Sequence, residues 1–236
     1  MKIFISLLIG FCLSLSAQDK SALQVRTISV PPYGIESADE LSGVYYDLTN
    51  KLLDRAGIER EHYIYPYARI IQELKTGETD LTIMFKYEEL MPHVLFIAAL
   101  SPLKNVVIGR KGTNFNSISS LHGKTIVYLR GAKFSDIVDK DENIQKYYVN
   151  NLAQGLLMLN KGRADGIIGP LEAIYSAAKE LTYTYDYFGE PLIVSERVPW
   201  LQISKKSMEK VSVSQLKNSF TTIISEGELA KIKAKY

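Results

Sequence analysis

The sequence predicts a two-lobed α/β protein in which each lobe is a mostly parallel sheet flanked by helices. Three observations predict it. The pattern Leu-x-x-Gly-x-x-Asp occurs at Leu74, Gly77 and Asp80 and recurs 85 positions later at Leu159, Gly162 and Asp165. Each copy follows apolar residues at helical spacing and precedes a short apolar run of the kind that buried parallel strands carry. After the second copy, strand-like runs at 191–194 and 200–204 lead into two C-terminal helices, as if the chain returned to its first lobe.

Met1-Lys2, an apolar stretch over 3–15 and then Ser16-Ala17 predict a signal peptide over residues 1–17, cleaved after Ser16 or Ala17. The stretch is shorter than the roughly 20 residues that span a bilayer. Cys12 raises a lipidated alternative, against which stands the bulky Phe11 directly before it. Cleavage removes the only cysteine and Lys2, leaving 27 basic against 26 acidic residues. A near-neutral balance with no basic block argues against a nucleic-acid partner.

The elements follow in order. Residues 23–30 are β-branched and alternate, then stop at Pro31-Pro32-Tyr33-Gly34. Val44, Leu48, Leu52 and Leu53 lie on one helical face over 44–56, and Gly57 ends that helix. A strand at 62–65 stops at Pro66, a helix spans 67–74, and a strand spans 81–85. Another strand is expected at 105–110, before the polar stretch 111–116. The second lobe reads as strand 124–129, a helix from about 133, strand 146–149, helix 152–159, strand 166–168, helix 171–181 and strand 184–187. The C-terminal helices are expected over 211–224 and 226–233. Lobe one therefore comprises 22–110 and 191–236, lobe two 111–190, with crossings near 110 and 191.

At this point the chain resembles the bacterial extracellular solute-binding proteins of family 3. The resemblance rests on Pro31-Pro32-Tyr33, Gly43-Val44-Tyr45-Tyr46-Asp47-Leu48, both Leu-x-x-Gly-x-x-Asp phrases, Leu121-x-Gly123-Lys124-Thr125-Ile126 and Arg130-Gly131, in that family's order. Tyr65-Pro66-Tyr67-Ala68-Arg69 resembles a Pro-aromatic-x-Arg segment of one branch. What the resemblance implies is the type II periplasmic-binding fold. It also implies a monomer in the periplasm, a small polar ligand enclosed by hinge closure, no cofactor, and a membrane permease of the ABC class as partner. Amino-acid binders of the family carry an Arg after the third strand and an acid after the second Gly–Asp strand. Here those places read Lys86-Tyr87-Glu88-Glu89-Leu90-Met91 and Pro170. A cleft lacking both anchors would hold a zwitterion poorly, because a buried charge needs a partner.

Ligands of open α/β sheets gather beyond the carboxyl ends of the strands and at helix N-termini. That rule nominates Tyr33, Tyr67, Arg69, Phe85, Lys86, Arg130, Lys133 and Phe134. Tyr33 and Tyr67 offer flat faces, or else pack beside prolines. Arg69 opposes the helix dipole in a first turn, or else pairs with Glu73 four residues on. Lys86 caps an apolar strand, and residues 130–134 precede a helix whose free N–H groups suit an anion or carbonyl. Glu172 is expected to face solvent, and Trp200 to pack near a crossing. Asp80 and Asp165 are read as turn architecture.

No catalytic set is legible. His62, His93 and His122 lack metal-ligand spacing, and no nucleophile elbow or phosphate loop occurs. Two alternatives stay open: an enzyme on the same fold, similar to cyclohexadienyl dehydratase, and a ligand-sensing subunit of a membrane receptor. The enzyme reading needs Glu88, Glu89 or Glu172 inside the cleft.

Overall fold

The computed structural model describes residues 22–236, so the expected signal peptide and Cys12 lie outside the described residues. The first lobe opens with β1 (Leu23–Ile28), a small hairpin of β2 (Ile35–Glu36) and β3 (Leu41–Ser42), and α1 (Val44–Ala56). Next come β4 (Arg60–Tyr65), α2 (Tyr67–Thr76), β5 (Leu81–Phe85) and β6 (Val94–Ala99). The chain then crosses to β7 (Leu103–Ile108), β8 (Thr125–Leu129), α3 (Asp136–Lys140), β9 (Gln145–Val149), α4 (Leu152–Asn160), β10 (Gly166–Pro170), α5 (Leu171–Glu180) and β11 (Leu192–Arg197). It returns as β12 (Pro199–Ser204) and ends in α6 (Val213–Ser225) and α7 (Glu228–Lys233).

Two five-stranded sheets result, in the orders β4-β1-β5-β12-β6 and β11-β7-β10-β8-β9. Within each, three strands run parallel: β4-β1-β5 in the first, β10-β8-β9 in the second. The remaining strands pair antiparallel, β12 with β5 and β6, and β7 with β10 and β11. The two lobes are thus one plan used twice.

The repeated sequence phrase explains the likeness. Gly77 and Gly162 both adopt positive φ, 84° and 67°, and follow α2 and α4 where a Cβ would be strained. Asp80 Oδ2 accepts the Gln24 N–H at 2.7 Å, and Asp165 Oδ2 accepts the Thr125 N–H at 2.8 Å. Each Asp therefore ties the start of its own strand to the start of the neighbouring parallel strand. Asp80 is further clamped by Ser207 and by Lys210 at 2.9 Å.

Strand β7, expected in lobe one, pairs with β10 and β11 and so belongs to the second sheet, as does β11. The crossings therefore fall at 100–102 and at 198, and the polar stretch 111–116 is a loop of the second lobe. The run 184–187 is not a strand but a single 3-10 turn over Tyr185–Tyr187, with the Tyr183 and Tyr187 rings stacked 4.5 Å apart. Edge strand β6 and the β2–β3 hairpin were not foreseen. The helix expected from about 133 is the short α3.

Candidate functional site

The carboxyl ends of the parallel strands from both lobes converge on one apolar cavity. Ile28, Val30 and Tyr33 reach it from the end of β1, Tyr67 from the end of β4, and Met84 and Phe85 from β5. The second lobe contributes Leu129 from β8, Leu152 after β9, Phe134 and Pro170. Leu103 and Pro199, one beside each crossing, and Tyr45 of α1 complete the wall. None of these residues carries a charge. The only side-chain polar atoms are three phenol oxygens. With the lobes in contact the cavity measures about 20 Å³, room for one water-sized group.

The tyrosines are held firmly. Tyr33 stacks on Tyr45 with ring centroids 4.4 Å apart, and Tyr67 meets Tyr87 edge to face at 6.0 Å. Burial pushes the phenols of Tyr33, Tyr45, Tyr67 and Tyr87 above their ordinary range, so all four are neutral donors at physiological pH. Lobe contact is made by polar groups at the cavity's edge. Tyr33 Oη donates to Glu172 Oε1 at 2.9 Å, and the Lys133 N–H donates to Tyr87 Oη at 3.3 Å. The Arg197 guanidinium donates to the carbonyls of Lys86 in one lobe and Lys133 in the other. Gly131 (φ 80°) comes so close to α2 that a Cβ there would lie 2.9 Å from Ala68.

The structure divides the eight nominated residues. Tyr33, Tyr67, Phe85 and Phe134 line the cavity together. Arg69, Lys86, Arg130 and Lys133 do not reach it. Arg69 donates to Glu73 at 2.7 Å, the i,i+4 pair, with its guanidinium 3.6 Å from the Tyr65 ring centre. Lys86 turns outward, its Nζ over Trp200 at 3.7 Å and Phe96 at 4.5 Å. Arg130 is exposed and donates to Asn150. The Lys133 side chain faces Glu89 at 3.7 Å, and its backbone serves the lobe contact. The cause is common to all four: a cationic head beside an apolar cavity is better solvated outside it.

Sequence reasoning missed Tyr45, Leu129, Leu152, Pro170 and Arg197. Four of the eight residues that the strand-end rule nominates are charged, whereas the cavity is also lined by the apolar residues that end β8 and β10 and by Tyr45 of α1. Glu88 and Glu89 are exposed, Glu89 paired with Lys75, and neither lines the cavity. Glu172 was expected in solvent; its residue is exposed, yet one carboxylate oxygen closes the cavity's edge through Tyr33.

The sequence model of the bacterial extracellular solute-binding proteins, family 3, matches residues 24–236. The chain belongs to this family. Comparison with curated proteins found no match. Among solved structures, the chain is similar to the substrate-binding protein of an amino acid ABC transporter, at 19% identity and TM-score 0.77, covering 91% of this chain and 98% of that one. It is similar to an ancestral arginine-binding protein bound to arginine, at 21% identity and TM-score 0.77, covering 91% and 97%. A histidine kinase sensor domain resembling periplasmic binding proteins matches at 14% identity and TM-score 0.77, covering 92% and 96%. At these identities the likeness shows the shared fold, a two-lobed solute-binding architecture.

Proposed function

We propose that this family member captures a small uncharged ligand, an aromatic or similarly flat molecule with one hydrogen-bonding group, in the cavity between its lobes outside the cytoplasm. The observation that carries the reading is the lining: thirteen residues, none charged, with tyrosine hydroxyls as the only side-chain polar groups. An α-amino acid would bury an ammonium and a carboxylate there without partners, at a cost of several kcal/mol per ion. A planar ring instead meets Tyr33, Tyr45, Phe85 and Phe134, and its one polar group meets a phenol. This reading differs from the small polar ligand that the family resemblance implies.

The cavity with lobes in contact is smaller than any such ligand, so admission requires the lobes to part about the crossings at 100–102 and 198. Ligand binding then favours the form that encloses it, since a ligand shifts an equilibrium only by its differential affinity. Delivery to a membrane permease is the role this supports. Fold likeness to a histidine kinase sensor domain favours signalling as the second reading.

A thermal-shift screen of the mature chain tests the ligand class. Neutral phenols and indoles are expected to raise Tm by several degrees, since a ligand at a hundredfold excess over Kd stabilises by about 2.7 kcal/mol. Sugars, carboxylic acids and amino acids outranking them would overturn the assignment. Uptake by cells lacking the protein separates transport from signalling.

A further inference from the structure

Beside the cavity, beyond the Tyr33–Glu172 bond, lies a second depression of about 520 Å³. That volume falls within the range of small-molecule sites. Its second-lobe wall is one face of α5, where Glu172, Tyr175, Ser176 and Lys179 follow at helical spacing. Its first-lobe wall holds Lys233 and Tyr236. Tyr185, 74% exposed, stands at its rim against Tyr175 with ring centroids 4.7 Å apart.

The charges are arranged unevenly. Lys231 and Lys235, neighbours of Lys233, are paired with Glu228 at 2.7 Å and Asp47 at 3.4 Å. Lys179 and Lys233 make no ion pair among the described residues. Of these four lysines, the two without an ion pair are the ones that border the groove. At the opposite end stands the Glu172 carboxylate. Glu172 and Lys179 stand seven positions apart on the helix, a rise of about 10 Å.

We propose that this groove is a second binding site, for an elongated anion with a flat body. Its anionic end lies at Lys179 and Lys233, its ring lies among the tyrosines, and a donor at its far end meets Glu172. Both lobes supply a wall, so a molecule bound here favours lobe contact and is coupled to whatever occupies the cavity. The site does not depend on the neutral-ligand reading of the cavity.

The test is calorimetric titration of the mature chain with 3-(4-hydroxyphenyl)propionate at low salt, with tyramine as the cationic counterpart. The anion is expected to bind and tyramine not to. Replacing both lysines, Lys179→Ser with Lys233→Ser, is expected to weaken the anion about tenfold, two exposed charge contacts' worth. Added salt weakens it likewise. Both lysines are exposed, so the variant's fold is checked simply by circular dichroism. Phe134→Ala, which alters the deep cavity and removes no groove residue, is expected to shift anion binding by less than the lysine exchange does. Equal binding of tyramine, no binding of the anion, or indifference to the lysine exchange would each overturn the proposal. Loss of anion binding in Phe134→Ala alone would place the probe in the cavity and overturn it too.

Discussion

Tyr33 Oη donates to Glu172 Oε1 at 2.9 Å from one lobe to the other, while the same ring walls the cavity and stacks on Tyr45. One side chain thus serves both the cavity and the lobe contact. Tyr33→Phe keeps the ring and removes the bond. A hydrogen bond to a partly solvated carboxylate is worth about 1 kcal/mol net, so the ratio of closed to open molecules falls about fivefold. Distances between spin labels on the two lobes read this directly, and an unchanged distribution would deny the bond any part in closure.

Arg197 spans the two lobes through the carbonyls of Lys86 and Lys133. Its planar fork reaches two acceptors at once, which a lysine ammonium on a flexible stem cannot reproduce. Arg197→Lys is expected to open the molecule nearly as far as Arg197→Ala in small-angle scattering. Full closure of the lysine variant would show that charge alone suffices.

Stability is expected to centre elsewhere, on Glu73. Its carboxylate lies 3.5 Å from buried Arg26, accepts from Arg69 at 2.7 Å, and accepts from Thr79 at 2.7 Å. Arg26 itself lies over the rings of Tyr63 and Tyr65. Glu73→Ala strips a buried cation of its counter-charge and is expected to cost about 3 kcal/mol, read as a lower urea midpoint. Arg69→Ala, whose side chain is 56% exposed, costs about 1 kcal/mol or less. Ligand binding by Arg69→Ala and Lys86→Ala stays at the wild-type level, because neither side chain lines the cavity.

Alkaline pH should loosen the molecule through its buried phenols. Burial raises Tyr33, Tyr45, Tyr67 and Tyr87 above the unfolded tyrosine pKa near 10. Groups with raised folded pKa values contribute stability that is complete below about pH 10 and is lost as pH climbs beyond it. Ultraviolet titration should show these tyrosines ionising only together with loss of circular dichroism. Smooth ionisation of all tyrosines in a folded chain would contradict this.

What the sequence made legible was the repeated plan. Leu-x-x-Gly-x-x-Asp works locally, through a left-handed Gly and an Asp that binds a backbone N–H, so its meaning survives without tertiary context. The crossings were misplaced because β7 is an apolar run whose sheet is decided by distant partners, β10 and β11. The run 184–187 is expected to be a strand, yet ring packing of Tyr183, Tyr187 and Phe188 selects a turn. In the site, aromatic residues past strand ends were found by the strand-end rule, since the turn that follows each strand fixes where they point. The cations were not, because their long stems let the charge leave the cavity. Arg197 was invisible, its two acceptors being backbone carbonyls 111 and 64 positions away.

The most direct test of the cavity's apolar specificity is calorimetric titration of the mature chain with p-cresol against L-arginine, in the wild type and in Phe134→Ala. p-Cresol is expected to bind, Phe134→Ala to weaken it, and arginine to give no heat of binding. Tight arginine binding, with p-cresol silent, would contradict that specificity.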